Sequence, residues 1–493
     1  MSPFFILSAI GVYFLFLVAI SIYTGRNANN NSYFTGNNAS PWLAVAFGMI
    51  GDSLSGVTFI SVPGTVGLAK FAYLQLVLGY LAGYFVIAYV LLPIYYKMGL
   101  TSIYTYLETR FGGNAEKTGS FFFILSRTLG AAGRLFLAAG VLQKFVFDGL
   151  GIPFFASVAF IIALMLVYTA KGGIKTLVWT DTFQSLFLLA GVILSIVAIS
   201  SNLNLDLIGM VKTVKNSPLS ETFFWDINEK NYFWKQFIGG FFIAIAMTGL
   251  DQNMMQKNLS CRSLGEAQKN IVSFSFVMVL VNVFFLSLGV LLYVYIDTAH
   301  IAVPTASDGK IITDSLFPTL ALNNLGNLAG LAFIIGLTAA TFSSADSVLT
   351  TLTTSFYYDF LHLQKNKTMA ESSKSLIRNI VHIGFAVILL LCIIVFSMMN
   401  DKAIIDTILM LAGYTYGPLL GLFAFGIMTK RKANDKYIPL LAIIPPAACY
   451  WFSQNSVSLL GGYKVGHELL MINGLLMFGL LWLMSKKEQA IKK

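Results

Sequence analysis

Four of the five positions from 343 to 347 carry oxygen donors inside an apolar run, Ala340-Thr341-Phe342-Ser343-Ser344-Ala345-Asp346-Ser347. In a helix, Ser343, Asp346 and Ser347 fall within about 100° of arc, so their oxygens can converge on one partner. Hard cations take several such oxygens, and the carbonyls of an unwound segment serve equally well. Thr350, Thr351, Thr353 and Thr354 have a plainer expectation, a hydroxyl bonded back to the carbonyl one turn earlier. That explanation does not extend to Asp346.

Other charges lie where a bilayer would make them costly, and such groups are functional by default. Asp181, in Trp179-Thr180-Asp181-Thr182, is either functional or a helix-start carboxylate favoured by the macrodipole. Arg134 stands midway along an apolar run, where a guanidinium needs an anionic partner. Arg127, two turns earlier, is expected to snorkel toward the nearer surface. Asp52 and Asp251 are expected to pair with basic groups that the sequence does not identify. No nucleophile, base and orienting group occur together, and the four histidines and three cysteines lack metal-ligand spacing. With no phosphate-cradling Gly-rich loop ending in Lys-Ser/Thr either, an enzyme and an ATP-driven pump are both disfavoured.

The elements that must position these groups are membrane spans. Of 493 residues, 57% are hydrophobic and only 11% charged, whereas soluble chains carry roughly a quarter charged. Apolar runs lie near 4–23, 42–65, 72–96, 119–147, 153–170, 178–200, 233–256, 272–296, 325–360, 376–399, 403–428, 437–453 and 467–484. At about 20 residues per span these make thirteen transmembrane helices in an all-α polytopic protein. A net charge of +10 in such a chain records orientation rather than a nucleic-acid partner. About 21 Lys/Arg fall in one set of loops and about 9 in the other, which puts the N-terminus outside and the basic tail 486–493 in the cytoplasm.

Two runs interrupt themselves. Gly48-Met49-Ile50-Gly51-Asp52-Ser53-Leu54-Ser55-Gly56-Val57-Thr58 sets glycines, hydroxyls and a carboxylate at mid-span, and five runs later come Gly239-Gly240 and Thr248-Gly249-Leu250-Asp251-Gln252. A freed backbone group at that depth must find a partner. Paired interruptions in two halves point to an inverted-repeat transporter with its site at the midplane. The glycines Gly79/Gly83 and Gly413/Gly417/Gly421 are expected instead to serve close helix packing.

Taken in order, Leu54-Ser55-Gly56-Val57-Thr58-Phe59, Gly172-Gly173 before Trp179-Thr180-Asp181, Gln252-x-x-x-Gln256-Lys257, Ala340 with Ser343-Ser344, and Gly417-Pro418-Leu419-Leu420-Gly421 resemble the sodium:solute symporter family. The resemblance implies the leucine-transporter architecture: two inverted five-helix repeats at 42–200 and 233–428, one extra span before (4–23) and two after (437–484). It implies a first sodium site from the carbonyls of Gly51, Leu54 and Ala340 and the hydroxyls of Ser343 and Ser344. A candidate second site uses Asp181, Ser343, Asp346 and Ser347, although the bacterial sialic-acid members have serine where Asp346 stands, so this site would take sodium or a proton. The sugar-transporting members carry polar groups where Ala244 and Met410 stand, which disfavours a hexose. Ser55, Thr58 and Arg134 match the substrate-binding residues of the sialic-acid members, Tyr73 joins them as a candidate, and Val77 replaces a glutamine. The implied protein is a sodium-coupled symporter in a bacterial-type cytoplasmic membrane, carrying a small organic anion such as sialic acid by alternating access. A monocarboxylate or vitamin is the alternative cargo, and an ion channel the alternative class.

Overall fold

The computed structural model describes residues 3–26, 29–305, 309, 311–399 and 404–486, with the side chains of 170, 171, 399 and 404–410 outside that description. The basic tail beyond Lys486 and the side chain of Met410 therefore lie outside the described residues. Among the described residues the regular structure is helical, and β pairing is confined to isolated bridges. The principal helices are α1 (Pro3–Thr24), α2 (Trp42–Ser53), α3 (Gly56–Ala69), α4 (Ala72–Met98), α5 (Gly113–Leu142), α6 (Phe154–Asn202), α7 (Phe233–Gly249), α8 (Gln252–Leu259), α9 (Leu264–Ala299), α10 (Gly326–Ser355), α11 (Glu371–Met399), α12 (Ile404–Met428), α13 (Ile444–Leu459) and α14 (Leu469–Met484).

Eight helices are long and apolar enough to cross a bilayer unbroken, and two more crossings are bent pairs: α2 with α3 at 61°, and α7 with α8 at 62°. The first half of α6 and α14 are shorter apolar helices, and α13 fills the place of the run at 437–453. Helices thus overlap all thirteen apolar runs, and up to ten of the crossings are long and apolar enough to span a bilayer. The fifth and sixth runs are two helices that join end to end within α6, at a kink where Gly173 leaves the helical conformation with φ 51°. A side chain there would meet the Tyr33 carbonyl at 2.4 Å, so only glycine permits both the left-handed turn and the contact.

Small residues set the helix spacing. A Cβ on Gly79 would lie 2.1 Å from the Phe237 carbonyl, and one on Gly240 equally close to the Leu76 carbonyl, so α4 and α7 touch backbone to backbone. Gly417 and Gly421 make room for the Asn473 and Met477 side chains of α14, whereas Gly413 has open space beside it. Gly239-Gly240 therefore serves packing, and the interruption of that span lies further on, at 249–252.

The loops at 29–41, 99–116, 260–263, 357–365 and 426–437 gather at one end of the bundle. Ser40 N–H donates to the Ser260 carbonyl at 3.0 Å, Lys365 pairs with Glu108 at 2.6 Å, and the Arg110 guanidinium bonds the Thr429 carbonyl at 2.7 Å. At the opposite end, Lys70 pairs with Glu221 and Gln75 Nε2 donates to the Asn231 carbonyl at 2.9 Å.

Candidate functional site

The two interruptions differ in how their freed backbone is satisfied. At the second, Tyr95 and Tyr104 hydroxyls donate to the Gly249 and Leu250 carbonyls at 2.9 and 3.0 Å. Asp251 caps α8 by accepting the Met254 N–H at 3.1 Å, and also accepts from Arg127 Nε at 2.6 Å and the Tyr416 hydroxyl at 2.5 Å. Gln252 braces the loop after α4 through the Ile103 N–H and the Thr101 carbonyl. Arg127 consequently does not snorkel, because Asp251 offers a charged partner within the bundle.

The first interruption is open. Leu54 and Ser55 leave the helical conformation, with ψ 79° and 168°, and a helix end leaves its last carbonyls without intrahelical donors. Among the described residues no side chain donates to the Gly51 or Leu54 carbonyl. α10 faces this gap. A Cβ on Gly51 would stand 2.8 Å from both Ser343 Oγ and Ser185 Oγ, and one on Gly56 would stand 2.7 Å from Thr341 Oγ1. Only glycine lets α2 and α3 approach α10 so closely. Ser344 donates to the Ala340 carbonyl at 3.1 Å, which leaves its oxygen lone pairs available.

The polar face of α10 is read by α6. Ser343 Oγ donates to Asp181 Oδ1 at 3.3 Å and Ser347 Oγ to Asp181 Oδ2 at 3.1 Å. Asp346, one step round the helix, accepts the Tyr168 hydroxyl at 2.6 Å on Oδ2, while its buried Oδ1 has no hydrogen-bond partner. Thr351, Thr353 and Thr354 return their hydroxyls to the turn before, as expected; Thr350 Oγ1 does not. Asp181 lies eight residues past the Gly173 kink and fully buried, so it is not a helix-start carboxylate.

Lys257 connects these groups. Its Nζ lies 2.5 Å from Oδ2 of Asp52 and 2.5 Å from Oδ2 of Asp181, with all three side chains fully excluded from solvent. Asn253 adds a bond to Asp52 at 3.2 Å and accepts from Thr351 at 2.7 Å. In the sequence Lys257 falls one residue beyond the apolar run 233–256, where a lysine is ordinary. Its partners lie 205 and 76 residues away in the chain, so beyond its place in the Gln252-x-x-x-Gln256-Lys257 match the available signal is two carboxylates without identified partners, in the second and sixth runs.

Arg134 contrasts with Arg127 and Lys257. It is half-buried, and among the described residues it has neither a hydrogen bond nor a carboxylate within ion-pair reach. Ala138, one turn along the same face of α5, would lie 3.5 Å from a Cβ on Gly56, which places this face of α5 against the first interruption. Ser55 and Thr58 hydroxyls likewise lack hydrogen bonds among the described residues, and the Tyr73 hydroxyl lies beside Tyr80 within electrostatic range of Arg134. A small cavity of about 30 Å³, lined by Val57, Ile60, Ser61, Leu137, Val141 and Asp314, adjoins this region. The larger cavity, about 250 Å³, lies elsewhere, at the loop-rich end between Phe34, Tyr96, Thr101 and Gln256.

A bundle of bilayer-length helices in which a broken span faces a hydroxyl-rich helix is the architecture of a membrane carrier. The chain belongs to the sodium:solute symporter family, whose sequence pattern matches residues 33–436. It is 25% identical over 438 residues to the sodium/sialic acid symporter NanT of Aliivibrio fischeri, covering 87% of this chain and 84% of that one. It is 26% identical over 437 residues to the sodium-coupled monocarboxylate transporter 1 of Mus musculus, covering 85% and 67%. The substrate-bound outward-open structure of a Na+-coupled sialic acid symporter superposes with a TM-score of 0.82 at 20% identity, over 98% of this chain and 99% of that one, which establishes the fold. The protein is thus a multi-pass membrane protein and a sodium-coupled symporter of the leucine-transporter architecture, not an enzyme.

Proposed function

We propose that this symporter imports a small organic anion of the sialic-acid class across a cytoplasmic membrane, with its N-terminus outside. The observation that carries the anion is Arg134: Arg127 on the same helix and Lys257 are matched to carboxylates, whereas among the described residues Arg134 has none within ion-pair reach. Its planar fork suits a carboxylate through two parallel charge-assisted bonds, and at the first interruption, which this face of α5 meets through Ala138, Ser55 and Thr58 offer hydroxyls that lack hydrogen bonds among the described residues. Sodium, as the co-transported ion, would take the carbonyls of Gly51, Leu54 and Ala340 with the hydroxyls of Ser343 and Ser344. Asp181 holds the Ser343 proton, which turns the oxygen's lone pairs toward the cation in the way an outer-shell carboxylate orients a metal ligand. The matching bends of α2–α3 and α7–α8 support the division into repeats at 42–200 and 233–428.

A second cargo, a smaller monocarboxylate, is favoured by Val77, fully buried where the sialic-acid members use a glutamine. This leaves fewer polar contacts beyond the carboxylate. Sodium-gradient uptake in proteoliposomes with radiolabelled sialic acids, short monocarboxylates, vitamins and sugars tests the proposal. Saturable sodium-dependent uptake of sialic acid supports it, monocarboxylate uptake alone shifts the cargo, and uptake of neither carboxylate class removes the anion reading.

A further inference from the structure

We infer that the Lys257 ammonium is a tethered cation standing where a second sodium would bind, so that one sodium accompanies each substrate. The inference rests on the sodium-site reading above and adds the number of ions to it.

The argument starts from the claims on Asp181. Its Oδ2 accepts Lys257 Nζ at 2.5 Å and Ser347 Oγ at 3.1 Å, and its Oδ1 accepts Ser343 Oγ at 3.3 Å. The serine and carboxylate oxygens that a second cation would need are therefore already arranged around a carboxylate that holds an ammonium. The same nitrogen neutralises Asp52, whose Oδ2 also takes Asn253. Two carboxylates and one ammonium leave a net charge of −1 in a group with no solvent exposure. The sodium cage built from Gly51, Leu54, Ala340, Ser343 and Ser344 contains no carboxylate of its own, and it touches this group through Ser343. One sodium there brings cage and triad to neutrality. A second sodium against the same triad would leave an uncompensated positive charge in a dry interior, where unpaired ions are strongly disfavoured. Asp346 is the remaining carboxylate nearby: its Oδ2 accepts from Tyr168 on the other side of the Gly173 kink, its Oδ1 has no hydrogen-bond partner, and among the described residues it takes no hydrogen bond from Ser343, Ser347 or Lys257, so it stands outside the triad.

Counting sodium on purified protein, by equilibrium binding of radioactive sodium without organic substrate, separates this inference from the cargo. Wild type is expected to bind one ion per chain with a Hill coefficient near one, and Asp346→Asn to bind one as well. Lys257→Met uncovers a second negative charge and should bind two, with a Hill coefficient approaching two. If that variant is too unstable to purify, Lys257→Met with Asp52→Asn restores the net charge of −1 and should again bind one. Two ions per wild-type chain overturn the inference and leave the symporter reading standing. A folded Lys257→Met that still binds one ion also overturns it. Absence of sodium binding in stable wild type would sink both the site and the inference.

Discussion

Ser343 is shared between the proposed sodium cage and Asp181, and this double duty ranks the substitutions around it. Ser344→Ala removes one oxygen from the cage while the rest of the helix keeps its geometry. Ser343→Ala removes an oxygen and also breaks the hydrogen bond that joins the cage to Asp181. The half-saturating sodium concentration for uptake should therefore rise for both, at least tenfold further for Ser343→Ala, since a hydrogen bond to a charged group contributes about 1.5–3 kcal/mol. Equal effects would remove Asp181 from the site. The two arginines of α5 separate under a different measurement. Arg127→Met strands buried Asp251 without its ion-pair partner, which costs about 3–5 kcal/mol, so its melting temperature in detergent should fall sharply without substrate. Arg134→Lys keeps the charge but loses the fork. Calorimetry should show carboxylate binding weakened by about 1–3 kcal/mol at unchanged melting. A lower melting temperature for Arg134→Lys with unaltered affinity would make that residue structural.

At the scale of elements, the sequence disclosed the interruptions but not their difference. Gly48 to Thr58 is a polar, glycine-rich stretch in an apolar span, and a break there is legible because hydrocarbon tolerates such backbone only where it is buried or lines a cavity. Thr248 to Gln252 looks similar in one dimension. The structure closes it with Tyr95, Tyr104 and Arg127, residues more than a hundred positions away, and leaves the first break open toward α10. Ion pairs across such separations have no signature in spacing along the chain, which is why the sequence marks Asp52, Asp181 and Asp251 as intramembrane charges but does not identify their partners. Asp346 lay on the expected face of its helix, yet its bond to Tyr168 depends on the kink at Gly173. Gly51 makes the coupling of elements testable. Gly51→Ala brings a Cβ to 2.8 Å from Ser343 Oγ and Ser185 Oγ, and overpacking of this kind costs about 1–3 kcal/mol. Sodium affinity should fall at least tenfold, while Gly413→Ala, with open space beside it, should match wild type in both sodium affinity and melting. Unchanged sodium affinity in Gly51→Ala would mean that α10 does not close on the first break when sodium binds.

For the whole molecule, the number of charges moved fixes what the gradient can do. One sodium crossing with a monoanion transfers no net charge, so membrane potential drops out and only the sodium concentration ratio drives uptake. A tenfold ratio supplies about 1.4 kcal/mol, enough for roughly tenfold accumulation. A second sodium would add the same again and, at 100 mV, about 2.3 kcal/mol more, raising accumulation by a further factor of roughly 500. The two stoichiometries therefore diverge in a single vesicle measurement. With a fixed tenfold inward sodium gradient, substrate accumulation should reach a plateau near tenfold, and imposing an inside-negative potassium diffusion potential should leave that plateau unchanged. Lys257→Met, if it takes up a second sodium, should make the plateau rise with the imposed potential. A wild-type plateau that climbs with voltage would show that net positive charge enters with the anion, and that the ammonium of Lys257 does not stand in for a transported ion.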